Sequence, residues 1–334
     1  MGAALSPEKV LRDLAALWTS MAKQQSHDRE AAGEPSAADG VLRACTMTLV
    51  VLAEESEDPS ALGETIAALM PEHPARAILL RLHPDGPRAL SERVYAQCWM
   101  PFGQRRQVCC EQVEITASDA ALGDLPPLVL PLTVSDLPVI LWCRAPRLTG
   151  MPEFGAMAGI ATRVVVDSSA MPDAARALRL LRDLARNTPV GDLAWTRLTR
   201  WRAMISQLFE NRERLARVPS VRHLRVLFGA DYVTSAHYLA SWVVDGLYAG
   251  GARLANIEVL PDAATPALRV ELEGPELRLA LWRDGQRLMA QIDDSSQCTH
   301  LPPPGDYILM REELGIDGRD PVFEAALAGA AGLG

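Results

Sequence analysis

Apolar residues along this chain recur in two rhythms, and the alternation between them divides it into helices and strands. Near the start, Val10, Leu14, Leu17, Trp18 and Met21 return at steps of three and four behind Ser6-Pro7-Glu8, a cap followed by a first-turn proline. A helix is therefore predicted over residues 6–25. From His27 to Gly40 the period dissolves into Ala, Gly, Glu, Ser and Asp, the composition of a flexible connector. Strands are predicted at 46–53 (TMTLVVLA), 76–82 (RAILLRL), 92–99 and 107–116, with a helix at 59–70. Pro101-Phe102-Gly103-Gln104 would turn the last two strands into a hairpin. Continuous apolar runs at 138–142 and 163–166 suit strands covered on both faces.

The second half opens with an amphipathic helix over 173–186, with Ala177, Leu178 and Leu181 on one side and Arg176, Arg179, Arg182 and Arg186 on the other. GDLAWTRLTRWRAMISQLFE, from Gly191 to Glu210, then reads as one long helix whose first turn is capped by Asp192. Trp195, Leu198, Trp201, Ile205 and Leu208 fall on one side of it, and Arg197, Arg200 and Gln207 mainly on the other. Beyond it come a strand at 224–228, a helix at 236–248 closed by Gly250-Gly251, and strands at 253–260, 268–273, 276–283 and 287–292. Short helices at 306–314 and 321–330 end the pattern, and the terminal GAAGLG reads as a tail. The fold class expected is α/β: two mixed α/β domains, 46–170 and 171–334, preceded by an N-terminal helix and connector in 1–45.

Composition narrows the function. In 334 residues, 49% hydrophobic and 22% charged is the balance of a soluble globular protein. A net charge of −9 lacks the basic footprint of a nucleic-acid binder, and the apolar runs are too short to span a bilayer. With no secretory leader pattern either, a cytoplasmic protein is expected; Met1 to Ser6 meets the loose myristoylation pattern only by chance. Positive charge is nearly all guanidinium, since only Lys9 and Lys23 occur. Between Arg176 and Arg225 twelve arginines stand against four acids, an asymmetry that steers association with an acidic partner or anionic ligand.

Catalytic machinery is missing from the pattern: no P-loop, no G-x-S-x-G and no H-E-x-x-H. The six histidines are scattered without a second ligand at metal spacing, so no metal and no cofactor is expected. Cys109 and Cys110 are neighbours in a strand, pointing to opposite faces, and read as core cysteines. One constellation remains. Ligands and partners of α/β sheets meet residues at the carboxyl ends of strands; Arg144 and Asp167 stand at such ends, and Asp192 opens the long helix. Two readings stand: these residues gather at one rim, or the two aspartates simply cap helices.

GDLAWTRLTRWR with its following QLF, LPVILWCRAP, RVVVDSS, HPARAILL and the TMTLVVLAE strand resemble, in order and separation, the glucose-6-phosphate dehydrogenase assembly protein family, OpcA. The sequence departs from that pattern at Cys143 and at Arg200, where a bulky residue and a proline are expected. The resemblance implies a non-catalytic protein that binds glucose-6-phosphate dehydrogenase and promotes its active oligomer, tuning NADPH supply from the oxidative pentose phosphate pathway. The working surface would be shaped by Trp195, Arg197, Trp201 and Arg202 together with the rim residues Arg144, Asp167 and Asp192. The competing reading is a sensor of a sugar phosphate or nucleotide, held at the Arg144/Asp167/Asp192 rim.

Overall fold

A strand such as Leu49-Val50-Val51-Leu52-Ala53 has no polar face, so it must be covered on both sides, and the first half of the chain builds a sheet that does this. The computed structural model describes residues 5–32, 42–100 and 107–333, which fall into two units, 1–166 and 167–334. The first unit contains α1 (Pro7–Ala32), β1 (Leu42–Arg43), β2 (Met47–Glu54), α2 (Pro59–Leu69), β3 (Ala75–His83), β4 (Leu90–Trp99) and β5 (Val108–Ser118). It continues with α3 (Leu125–Val129), β6 (Val139–Cys143), α4 (Pro152–Ala158) and β7 (Arg163–Val166).

Strands β5, β3, β2, β6 and β7 run parallel in that spatial order, while β4 returns antiparallel along the other side of β5. From β2 the chain steps one way to β3 and β5, then the other way to β6 and β7. The topological switch point therefore lies between β2 and β6, where a doubly wound sheet opens its ligand crevice. Helix α1 packs through Val10 and Leu14, both buried, and Trp18 Nε1 donates to Glu111 Oε1 at 2.5 Å. It runs seven residues past the predicted end; the rest of the connector and the Pro101–Gln104 turn lie outside the described residues.

The second unit contains α5 (Ala174–Ala185), β8 (Val190–Asp192), α6 (Leu193–Thr196), α7 (Thr199–Leu208), α8 (Arg212–Arg217), β9 (His223–Phe228) and α9 (Val233–Ala249). There follow β10 (Asn256–Pro261), β11 (Leu268–Glu273), β12 (Arg278–Asp284), β13 (Arg287–Ile292), β14 (Ser295–His300), α10 (Asp306–Leu314) and α11 (Pro321–Leu333). A six-stranded sheet runs β10-β9-β11-β12-β13-β14, antiparallel except for β9 with β10. Its inner face is a row of buried aliphatics, among them Leu224, Val226, Val270, Leu272, Leu281 and Ala290. Tyr238, Leu239 and Val243 of α9 are buried in the same unit, which together with alternating exposed positions on the strands gives a sheet covered on one face.

Three expectations change. The single helix over 191–210 is a strand residue pair, a short helix and a second helix, with Arg197 and Leu198 at the break. Strand β14 was not expected, since Ser-Ser-Gln-Cys-Thr-His has no apolar alternation, and every one of its residues is exposed. Residues 329–333, read from sequence as part of a tail, are the end of α11: a Cβ on Gly329 would meet Ser241 Oγ at 2.2 Å, so glycine there lets α11 and α9 approach closely.

Candidate functional site

At the switch point of the first unit the sequence from the last residue of β2 reads Glu54-Glu55-Ser56-Glu57-Asp58, followed by the proline that opens α2. A dinucleotide-binding turn needs glycines there, so that the backbone can approach a pyrophosphate and offer it the helix N-terminus. Here Asp58 supplies the negative charge from within the chain, accepting from Ser60 N at 2.9 Å as the helix cap. The turn is fixed from below by Arg81 of β3, whose guanidinium donates to the carbonyls of Glu55 at 2.7 Å and Glu57 at 3.1 Å.

Across the crevice, the residues after β6 close it with charge. Arg147 forms a fork with Asp119, at 2.6 and 2.8 Å, while its Nε donates to Glu54 at 2.8 Å. The hydrogen bonds that Arg147 donates to Asp119 are the main cause that raises the Arg147 pKa further. Arg144 Nε donates to Glu57 Oε2 at 2.7 Å, and its guanidinium lies 4.7 Å from the Trp142 ring centroid. A pyrophosphate would have to displace Glu54, Glu57 and Asp119 and overcome their repulsion. The residues present do not fit a dinucleotide. Sequence reasoning found Arg144 but missed Glu54, Glu57, Asp119 and Arg147, although the acidic turn after β2 was legible as the wrong charge for a phosphate cradle.

The second unit places Asp167, Asp192 and Arg197 together. Asp167, directly after β7, binds Arg197 through two hydrogen bonds of 2.8 and 2.6 Å and accepts from Ser169 Oγ at 2.6 Å. Burial pushes the Asp167 carboxyl up, but Arg197 and Ser169 outweigh it and hold it below its ordinary value. Asp192 is fully buried: Oδ1 accepts from Ser168 N and Ala194 N, both at 3.0 Å, and Oδ2 from Tyr238 Oη at 2.7 Å. Burial first, and then the Asp167 charge, push Asp192 up to about 6. A displaced carboxylate is one mark of a catalytic site. Here both oxygens are committed to the chain's own donors, and the residue has no exposure through which a substrate could reach it.

The tryptophans of the same segment face inward. Trp195 is 2% and Trp201 4% exposed, and Trp195 packs against Tyr238 and Phe323 with ring centroids 5.9 Å away in each case. Arg202 stacks 3.7 Å over the Trp195 ring, and burial lowers its pKa. Thr196 Oγ1 donates to the buried Glu313 at 2.5 Å. The expected Trp/Arg grip is thus largely internal structure, because the apolar stripe that aligns the tryptophans also buries them. Arg176, Arg179, Arg186, Arg200 and Arg212 stay exposed. Arg144 belongs to the first unit and its Glu57 pair, Asp167 and Asp192 to the second.

No group of His, Cys, Asp and Glu suited to a metal ion occurs among the described residues. Cys109 is not a free core thiol, as expected from sequence, but is joined to Cys98, its facing residue in the β4–β5 ladder, with Cα atoms 4.1 Å apart. Burial pushes the thiols of Cys110 up to about 11 and Cys143 up to about 12, so both stay protonated at neutral pH. No helix among the described residues is long and apolar enough to cross a membrane.

Comparison with known proteins gives these features a lineage. Residues 66–183 match the family model for the glucose-6-phosphate dehydrogenase subunit N-terminal domain, and residues 188–327 match that for its C-terminal domain. A curated OxPP cycle protein OpcA of Synechocystis sp. is 25% identical over 193 residues, 56% of this chain and 39% of the relative. One of Nostoc punctiforme is 24% identical over 141 residues, 42% of this chain and 30% of the relative. The matches thus span less than half the length of these curated relatives. Among solved structures, a 3-ketoreductase from Actinomadura kijaniata aligns over 86% of this chain and 95% of its own at 12% identity, with a TM-score of 0.45. A biliverdin reductase from Synechocystis sp. aligns over 85% and 97% at 10% identity, with a TM-score of 0.44. With both halves of the chain matched in order, the protein belongs to the OpcA family.

Proposed function

We propose that this chain is a non-catalytic assembly factor and activator that binds glucose-6-phosphate dehydrogenase, promotes its active oligomer and so tunes NADPH supply in the oxidative pentose phosphate pathway. The observation that carries the reading is the crevice at the switch point. In a sheet of this topology it is the place for a coenzyme, and Glu54, Glu57 and Asp119 fill it with negative charge already paired to Arg144 and Arg147. Charge of this kind in the coenzyme's place supports a scaffold, and the family match favours glucose-6-phosphate dehydrogenase as its partner.

The contact surface in this reading is the exposed arginine stripe, Arg176, Arg179, Arg200 and Arg212, steering an acidic partner. Trp195, Trp201, Arg197, Arg202, Asp167 and Asp192 support it from beneath by fixing α6 and α7. The sensor reading has less support, since Arg144 holds Glu57 and Arg197 holds Asp167.

The test mixes this protein with its cognate dehydrogenase and follows NADPH production beside size-exclusion chromatography. A stable complex with raised activity or a higher-order oligomer is expected. Unchanged kinetics and separate elution would reject the proposal.

A further inference from the structure

The outward face of the second unit's sheet is uncovered, and its side chains form ordered rows across the six strands. One row is Leu260, Leu227, Arg269, Trp282, Met289 and Cys298, each residue directly opposite the next in the ladders. It is mainly apolar: Leu260 is 45% exposed, and the Arg269 guanidinium lies 5.2 Å from the Trp282 ring centroid. The next row is Glu258, Arg225, Glu271, Ala280, Gln291 and Ser296, charged on the β10-β9-β11 half and neutral on the β12-β13-β14 half. In the third row Glu273 of β11 stands opposite Arg278 of β12. Hollows of about 550 and 230 Å³ lie between these side chains.

We infer that this face is a self-association surface, and that its occupant is the same face of a second copy of the chain. A two-fold axis in the plane of the interface, parallel to the strands and between β11 and β12, lays β12 of one copy over β11 of the other and β13 over β9. Met289 then meets Leu227 of the second copy, and Trp282 meets Arg269 of the second copy. The charged half of the middle row meets the neutral half, so no like charges are opposed. Glu273 meets Arg278, an opposite charge. This is the self-complementarity that an isologous contact requires.

Two further observations favour a second copy over a different protein. Four charges at the centre of the face are matched within the chain, Arg225 to Glu258 at 2.8 Å and Arg269 to Glu271 at 2.7 Å, so they offer little to a foreign partner, while Glu273 and Arg278 are placed to pair with their counterparts in a second copy. The size also fits. Six strands about 4.8 Å apart and six residues long give a patch of roughly 600 Å² before side-chain relief is added, near the roughly 800 Å² that each partner contributes to a standard interface. The hollows would take the side chains of the opposing sheet, as in face-to-face sheet packing.

The test is light scattering on the purified full chain at micromolar concentration, without any dehydrogenase. A mass near twice 36.2 kDa is expected. Met289→Arg should return it to the monomer mass with an unchanged far-ultraviolet circular dichroism spectrum. Glu273→Arg should also split the dimer, and adding Arg278→Glu to it should restore the dimer. A monomeric parent protein, a dimer that survives Met289→Arg, or a charge swap that fails to restore assembly would overturn the inference. A monomeric parent whose Met289→Arg form no longer binds the dehydrogenase would likewise overturn self-association while leaving the proposed function in place.

Discussion

Arg197 holds Asp167 through two parallel hydrogen bonds at 2.8 and 2.6 Å, spanning 30 positions of sequence to tie the first residue after β7 to the break between α6 and α7. Planar guanidinium geometry matters here, because an ammonium can satisfy only one line of such a fork. Arg197→Lys should lower unfolding free energy by about 1 kcal/mol and Arg197→Ala by about 2 kcal/mol. Urea denaturation measures both; equal stability of all three proteins would show that the pair is incidental.

Asp192 makes stability depend on pH in an unusual direction. Its folded value of about 6 lies above the unfolded 3.8, so the folded state holds the proton more tightly. The resulting stabilisation is fully present below the unfolded value and is lost as pH rises through the folded one, about 3 kcal/mol in all. Asp192→Asn keeps an oxygen for Ser168 N and Ala194 N and turns an amide toward Tyr238 Oη. It should flatten the profile between about pH 4 and 7 and be the more stable protein at neutral pH. Parallel profiles for the two proteins would refute the assignment.

Trp195 sits between Tyr238, Phe323 and the Arg202 guanidinium. Trp195→Ala should cost about 3–5 kcal/mol by leaving a cavity, whereas Trp195→Phe keeps most of the packing and should cost much less. If both substitutions leave the melting temperature unchanged while abolishing partner binding, the tryptophan is a contact residue and the assignment to the interior fails.

The crevice between β2 and β6 should refuse NADP⁺ and NAD⁺. Titration followed by tryptophan fluorescence or saturation-transfer NMR is expected to show no binding to millimolar coenzyme. Removing the negative charges with Glu54→Gln and Glu57→Gln should let Arg144 and Arg147 attract inorganic phosphate. Saturable coenzyme binding by the unaltered chain would contradict the charge argument.

The arginine stripe is expected to act on rate. Arg176→Ala with Arg179→Ala should slow association with the dehydrogenase and flatten its dependence on ionic strength, with little change in dissociation. Surface plasmon resonance at several salt concentrations reads this directly.

Much of this architecture was legible because burial writes itself into period. The strands at 268–273 and 287–292 and the parallel pair β6 and β7 follow from apolar runs and turn residues alone. Strand β14 was not, since exposed residues carry no burial signal and its pairing comes only from β13. The break at Arg197 and Leu198 was hidden for another reason: a kink that keeps the same side buried leaves the step of three and four intact. The Cys98–Cys109 link rests on the β4–β5 register, which sets the two residues face to face and which the expected turn at Pro101–Gln104 did not give. The network around Asp192 needed coordinates, because Tyr238 lies 46 positions away and nothing local marks it as the partner.

The acidic turn after β2 bears on how such a protein could live beside a dehydrogenase. A helper that retained a working coenzyme seat would sequester the molecule its client consumes, and would change its own shape whenever the NADP⁺/NADPH ratio shifted. In the proposed role, Glu54 and Glu57 tethered to Arg147 and Arg144 would leave the frame deaf to that ratio. A helper built this way would accompany the proposed client through the whole range of cellular reducing states without competing for its fuel.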